Sequence, residues 1–521
     1  MTSSTASVVN TVAANGGKRA THRVTFFQQG GRIVLTHAQL DAQAARLAHA
    51  LRAGGLAPGA RIGVVARNGL AWVLLDLAAL KAGIVTAGFE FGKFRPDQAF
   101  VDRYALDAVY ADGATSFDPA RDLRALVDAH VRACRDGRNG RDVDPVAPPF
   151  ESAAYARDDV TTIKFTSGSS GEPKGLAARA GSIDASLAAV QQLYAHGDGD
   201  DVLVFLPLSL LQQRYWIYSA LTYGHDATVA PFEFALEAIR EQPPTVVMGV
   251  PGFYDGIKKR IERATPPDDT GLDARRRRID ALLGPRIRYL WTGSAPANPQ
   301  TLRFFDEAGV PIFEGYGMNE TCIVTKNHPG AARTGSVGRL IPGKRARIDD
   351  DGVLIVGADE PVNTQYLYSE PGASERIFLP TGEVRTGDLA RFDDDGYLYI
   401  LGRADDLIVL ANGKNVHTRK LEEQVKAHVG VEECVLYGAG RPFLVAVISP
   451  QDARADHAAI HAHLAELNAT LAPHERIVKA FIAPRPFGGE TRFVTSQFKP
   501  KRNAIFSAFN NEIERLYGGQ A

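Results

Sequence analysis

The sequence predicts an α/β protein: a large N-terminal body followed by a smaller α+β unit. Short apolar runs alternate with helical patterns as far as about residue 314, which implies mainly parallel sheets covered on both faces. After about Thr334 the texture changes to short strands joined by acidic turns, Asp349-Asp350-Asp351-Gly352 and Asp393-Asp394-Asp395-Gly396, as in antiparallel hairpins. A further change follows Arg403, where residues 403–521 hold helix, strand, strand, helix, strand and an irregular tail.

The elements follow in order. Residues around Val8–Ala14 form a short apolar segment in a small, polar start. From Arg23 the chain reads strand, turn at Gly30-Gly31, strand, and a helix opening at Thr36, where Leu40, Ala44, Leu47 and Leu51 recur at helical spacing. An apolar run at Arg61–Ala66 precedes a helix through Trp72, Leu75 and Leu80 to Gly83, and a strand is expected at Ala108–Tyr110. Residues 135–149, rich in Arg, Gly, Asp and Pro without a period, read as a surface loop. Strand-like runs recur at Thr161–Phe165, Val202–Leu206, Thr245–Gly249, Ile287–Trp291 and Pro311–Glu314. Ligands bind at the carboxyl ends of such strands.

Composition excludes several function classes. The 59 Lys+Arg and 60 Asp+Glu leave a formal charge of −1, so there is no nucleic-acid footprint and no general attraction to anionic membranes. The three cysteines, Cys134, Cys322 and Cys434, lie too far apart for a metal ribbon and fit a reducing compartment. No basic region precedes an apolar core at the start, and no stretch approaches the ~20 apolar residues that span a bilayer. A cytoplasmic protein without a transmembrane segment is expected.

The most informative stretch is Thr166-Ser167-Gly168-Ser169-Ser170-Gly171-Glu172-Pro173-Lys174-Gly175, which follows an apolar strand. Glycines let backbone N–H groups turn toward a polyanion, hydroxyls add donors and Lys174 adds charge, as a triphosphate requires. The spacing is not that of a Walker loop. In its residue order the stretch closely resembles the phosphate-binding signature of the adenylate-forming superfamily of acyl-CoA synthetases, adenylation domains and luciferases. Four further motifs stand in that family's order: Gly293-Ser294-Ala295-Pro296, Gly315-Tyr316-Gly317-Met318-Asn319-Glu320-Thr321, Thr386-Gly387-Asp388 and Gly402-Arg403-Ala404-Asp405.

The resemblance implies a large N-terminal AMP-binding domain, residues 1–402, and a mobile C-terminal domain, residues 403–521, turning about Asp405. It implies that Thr166, Ser167, Gly168, Ser169, Ser170, Gly171 and Lys174 hold the β- and γ-phosphates of ATP. Ser294, Ala295 and Pro296 would line the adenine pocket, with the face of Tyr316 against the base. Asp388 would accept from both ribose hydroxyls, Arg403 would reach the ribose or a phosphate, and Glu320 would hold Mg2+. Val494-Thr495-Ser496-Gln497-Phe498-Lys499-Pro500-Lys501-Arg502 is similar to the end of long-chain acyl-CoA synthetases, which makes Lys499 the catalytic lysine and Lys501 its alternative. Three departures bear on the acid and its acceptor. Leu210 replaces a histidine in the run Leu206–Arg214, Asn319 replaces a threonine while keeping a donor for phosphate, and Glu90–Phe94 replaces a proline-containing loop.

The implied function is ATP-dependent activation of a carboxylic acid, expected to be a fatty acid, to acyl-AMP, followed by transfer to the thiol of CoA. The alternatives are loading of a holo acyl carrier protein in trans and a degenerate nucleotide-binding protein.

Overall fold

The computed structural model describes residues 7–15, 21–28, 31–114, 120–131, 149–166, 173–266, 269, 271–404, 407–490, 492–494 and 500–518. Two large sheets form the body. The nine-stranded sheet runs in the order Arg339–Leu340, Cys322–Lys326, Ile312–Met318, Tyr289–Thr292, Val246–Gly249, Asp201–Val204, Asp226–Val229, Arg23–Gln28, Gly31–Thr36. Its middle is parallel and its two ends are antiparallel. The six-stranded sheet runs Ala120–Asp122, Ala108–Ala111, Arg61–Val65, Val85–Phe89, Val160–Phe165, Gly175–Arg179, parallel except for the last strand.

Local chemistry accounts for the early elements. The hairpin Arg23–Gln28/Gly31–Thr36 leads into the helix His37–Ala53, which Thr36 caps. The Thr36 hydroxyl accepts from the Gln39 N–H at 3.1 Å while the Gln39 side chain accepts from the Thr36 N–H at 2.9 Å. Leu40, Ala44, Leu47 and Leu51 make its buried face. The helix Leu70–Ala82 is buried on nearly every side and ends at Gly83, whose φ of +68° only glycine adopts cheaply.

That burial includes two charges. Asp76 lies between the sheets and accepts from Arg214 Nη1 at 2.9 Å and from the Tyr218 hydroxyl at 2.5 Å. Arg214 also donates to Thr86 Oγ1 at 3.2 Å and to Thr162 Oγ1 at 2.9 Å, on two neighbouring strands of the six-stranded sheet. Its helix, Leu211–Ser219, follows a strand of the nine-stranded sheet, so one guanidinium ties the two sheets together.

Beyond these sheets, Lys344–Ile348, Val353–Ala358, Val384–Phe392 and Leu398–Arg403 form an antiparallel four-stranded sheet. The two acidic turns lie where the pattern put them. Asp349 Oδ1 accepts from the N–H of Asp351 and Val353, and Asp393 Oδ1 accepts from that of Asp395 and Tyr397. The smaller α+β unit has a three-stranded sheet, Val431–Tyr437, Leu444–Pro450 and Ile477–Ile482, with the helices Thr418–Lys426 and His457–Thr470 packed on it. Its core, including Val425, Leu436, Ile448 and Ile460, is separate from that of the body. Among the described residues no helix is long and apolar enough to cross a membrane.

The structure adds elements that local pattern did not show. Val8–Asn15 is a helix with Val8, Val9, Val12 and Ala13 buried. Ser7 caps it, its hydroxyl accepting from the Asn10 N–H at 3.1 Å, but eight residues are too few to fold alone, and contact with the helices Leu70–Ala82 and Ala180–Tyr194 stabilises them. The strands Val85–Phe89, Gly175–Arg179 and Asp226–Val229 were also unannounced. Most of the 135–149 loop lies outside the described residues.

Breaking the buried pair should be costly. Asp76→Asn leaves the Arg214 charge unanswered and is expected to lower unfolding stability by about 3–5 kcal/mol, while Asp76→Leu with Arg214→Met should recover much of the loss. Urea unfolding measures both; a wild-type midpoint for Asp76→Asn would show that the pair does not clamp the sheets.

Candidate active site

The site begins where Val160–Phe165 leaves the six-stranded sheet. Phe165 pairs with Gly175 on the returning strand, Thr166 N–H donates to the Lys174 carbonyl at 3.0 Å, and Lys174 N–H reaches Thr166 Oγ1 at 3.4 Å. Both ends of the Ser/Gly hairpin are thereby held. Ser167, Gly168, Ser169, Ser170 and Gly171 lie outside the described residues.

The segment 366–368 crosses the base of this hairpin, because Gly175 and Leu367 exchange backbone hydrogen bonds of 2.9 and 2.7 Å. Tyr366 is thereby set between two expected site residues. The Lys174 ammonium lies 4.7 Å above its ring, and its hydroxyl donates to Glu320 Oε1 at 2.6 Å. Burial and the Glu320 carboxylate push the Tyr366 phenol well above its ordinary pKa, so it stays a donor. No sequence motif announced Tyr366; it lies in an irregular stretch between strands. Lys164, one residue before Phe165, is a second unannounced group. It is buried, and burial pushes its ammonium pKa down, opposed by Cys322 and Glu320.

The other half of the site comes from the nine-stranded sheet. Ser294, Ala295 and Pro296 form the loop after Tyr289–Thr292, with Ser294 at φ +69°. The loop is anchored by Ala297 N–H, which donates to Glu314 Oε1 at 3.2 Å. Burial pushes that carboxyl up to about 7. Next to it, Ile312–Met318 carries a bulge at Tyr316/Gly317 and turns through Asn319 and Glu320 into Cys322–Lys326. A Cβ on Gly317 would overlap the carbonyl of Cys322, whereas one on Gly315 would press chiefly on the Lys326 side chain. The turn is then tied to the other sheet: Asn319 Nδ2 donates to the Phe165 carbonyl at 3.2 Å.

A third group gathers on the four-stranded sheet. Asp388 and Arg403 are cross-strand partners, and Arg403 Nη1 donates to the Thr386 carbonyl at 3.0 Å and to Asp388 Oδ1 at 3.3 Å. The Tyr316 hydroxyl donates to Asp388 Oδ2 at 2.5 Å. Burial, with Asp388 next, holds the Tyr316 phenol far above its ordinary pKa.

Two relays therefore meet around one strand end: Lys174–Tyr366–Glu320 and Tyr316–Asp388–Arg403. The structure brings together Thr166, Lys174, Asn319, Glu320, Tyr316, Asp388 and Arg403, with the 294–296 loop on the adjacent strand. Lys499 and Asp405 lie outside the described residues. Glu320 suits a hard cation. Among the described residues no donor reaches its second oxygen, and one carboxylate with phosphate oxygens makes an ordinary Mg2+ site. A polyanion at the hairpin and a diol at Asp388 would leave their reacting end beside Glu320.

The family model for AMP-binding enzymes matches residues 10–361, and that for the AMP-binding enzyme C-terminal domain matches residues 405–521. The long-chain-fatty-acid–CoA ligase FadD15 of Mycobacterium tuberculosis is 27% identical, with 89% of each chain covered. A feruloyl-CoA synthase of Amycolatopsis sp is also 27% identical, over 81% of this chain and 84% of the relative. In fold, the chain is similar to the anthranilate CoA ligase AuaEII in complex with anthranoyl-AMP, with TM-score 0.76, 18% identity and 98% of each chain covered. It is equally similar to ATP-bound MatB from Rhodopseudomonas palustris, with TM-score 0.76, 22% identity and 97% and 99% covered.

Gly317→Ala meets the Cys322 backbone at the bulge and is expected to cost about 3 kcal/mol. Urea unfolding checks it; a wild-type midpoint would mean that the bulge is not held by Cys322.

Proposed function

We propose that this chain, which belongs to the AMP-binding enzyme family and activates acids as adenylates, passes the activated acyl group to the thiol of coenzyme A. The observation that supports this reading best is the Lys174–Tyr366–Glu320 relay, which joins the phosphate hairpin to the turn at the strand end. Both reactants of the first step are anions. A substrate carboxylate oxygen forms a bond to the α-phosphorus of ATP while the bond to the β-phosphate oxygen breaks and pyrophosphate leaves. Positioning and charge neutralisation must therefore supply most of the rate.

In this reading Thr166 and Lys174, with the hairpin between them, hold the β- and γ-phosphates. Asn319 donates to a phosphate oxygen, Asp388 and Arg403 hold the ribose, and Tyr316 and residues 294–296 flank the base. Mg2+, held by Glu320 and the phosphates, would neutralise charge on the leaving pyrophosphate. Lys499 bridges the carboxylate and the α-phosphate. In the second step the CoA sulfur attacks the acyl carbon and AMP leaves, after residues 403–521 turn about Asp405. The proposed acid is a fatty acid, supported by the runs 206–214 and 494–502 and by the relative named for long-chain fatty acids.

Acid-dependent pyrophosphate release over a panel of fatty and aryl acids, followed by competition between CoA and holo acyl carrier proteins, tests the whole reading. Fatty acids and CoA should win. Preference for a carrier protein would move the acceptor, and no release with any acid would leave a degenerate nucleotide-binding protein. Lys499→Ala should slow acyl-AMP formation at least about a hundredfold while supplied acyl-AMP is still converted to thioester. Equal loss of both half-reactions would assign the role elsewhere, with Lys501→Ala as the parallel control. Glu320→Gln should raise the Mg2+ concentration needed for half-maximal adenylation; an unchanged requirement would remove Glu320 as the metal ligand.

A further inference from the structure

The segment 366–368 forms no strand, yet each of its residues is pinned. Tyr366 N–H donates to Ser374 Oγ at 2.9 Å, and its ring meets that of Phe378 edge-on, 5.2 Å between centroids. Leu367 carries both backbone hydrogen bonds to Gly175. Tyr368 stands at φ +56°, a conformation that costs a side-chain-bearing residue roughly 1–3 kcal/mol and persists only where the surroundings enforce it. Its hydroxyl donates to the Tyr104 carbonyl at 2.9 Å, and its ring covers Gly175, where a Cβ would come within 2.8 Å of Tyr368 Cδ2.

This pinning presents two parts of one side chain to two different groups. The ring face meets the Lys174 ammonium at 4.7 Å, and the hydroxyl meets Glu320 Oε1 at 2.6 Å. Among the described residues no carboxylate lies within ion-pair distance of Lys174, so its ammonium rests on the electron-rich face of the phenol. Among the same residues the Tyr366 hydroxyl is the only donor to the Glu320 carboxylate. A charge-assisted hydrogen bond to one oxygen fixes the rotation of that group and leaves the other oxygen open. The backbone of the turn is held separately, by Asn363 Nδ2 at 3.4 Å from the carbonyls of Asn319 and Glu320. The Tyr366 hydroxyl therefore orients a side chain, not the turn itself.

We propose that Tyr366 is a positioning residue with two separable roles: its ring holds the Lys174 ammonium ready for the nucleotide phosphates, and its hydroxyl sets the Glu320 carboxylate for the metal ion that those phosphates carry. The proposal rests on the reading of Lys174 and Glu320 given above. A lysine already held gives up less side-chain freedom when phosphate arrives, and a carboxylate already turned needs no reorientation when the metal arrives. Neither role requires Tyr366 to touch the reacting atoms.

The test is calorimetric titration of α,β-methylene-ATP, which cannot give up its adenylyl group, into the full chain with EDTA and again with excess Mg2+. The ratio of the two dissociation constants measures what the metal adds. Tyr366→Phe keeps the ring and removes the hydroxyl. Its metal-free affinity should stay within about twofold of wild type, while the metal effect falls at least about fivefold, as in Glu320→Gln. Tyr366→Leu removes the ring as well, and its metal-free affinity should also fall at least about fivefold. Urea midpoints check that the variants fold, with Tyr366→Met in place of a leucine variant that does not. A general disturbance of the site would weaken metal-free binding in the phenylalanine and leucine variants alike. That result, a wild-type metal effect in Tyr366→Phe, or a wild-type metal-free affinity in Tyr366→Leu would overturn the proposal. Two reference variants separate it from the reading beneath it. Loss of the metal effect in Glu320→Gln but not in Tyr366→Phe sinks the role of Tyr366 and leaves the metal ligand standing. An unchanged metal effect in Glu320→Gln removes that ligand and the hydroxyl's role with it, and an unchanged metal-free affinity in Lys174→Gln does the same for the ring.

Discussion

Arg214 carries a charge with almost no access to water, and the arrangement of the two large sheets follows from how that charge is answered. Asp76 supplies the countercharge, Thr86 and Thr162 accept further guanidinium donors, and Tyr218 donates to the second oxygen of Asp76, while the buried Arg214 Nε has no hydrogen-bond partner. A guanidinium in such surroundings is tolerable only when its charge is answered. The cluster therefore specifies one distance between the sheets. Thr162 stands on the strand that ends in the phosphate hairpin, so that distance also sets where the hairpin begins.

The site depends on this spacing. Asn319 and Phe165 belong to different sheets, and their hydrogen bond closes only if the strand ends meet. The third sheet joins through Tyr316 and Asp388, and the irregular segment carrying Tyr366 is pinned at Gly175. Three sheets and the 366–368 segment thus converge on a turn of a few residues. Small displacements of any one of them would separate the phosphate hairpin from Glu320.

Electrostatics is local here. A chain with 59 basic and 60 acidic residues has no field to draw an anion from afar, yet it holds a cation at Lys174, above the Tyr366 ring. Buried phenols near carboxylates, Tyr316 and Tyr366, are held as donors by the same low-dielectric surroundings.

Order along the chain was enough to show the α/β class, the change of texture after Thr334, the capped helix at Thr36, the acidic turns and the run of motifs from Thr166 to Arg403. Each of these is set by neighbours within a few residues: a cap, an Asx turn, a period, a glycine in a fixed place. Tertiary structure alone decided that Tyr366 links Lys174 to Glu320, that Asn319 bridges two sheets, and that Val8–Asn15 is helical. These contacts join residues tens to hundreds of positions apart, or stabilise a segment too short to fold by itself. Their energies come from burial and from the pairing of desolvated groups, which exist only once the sheets have closed around them.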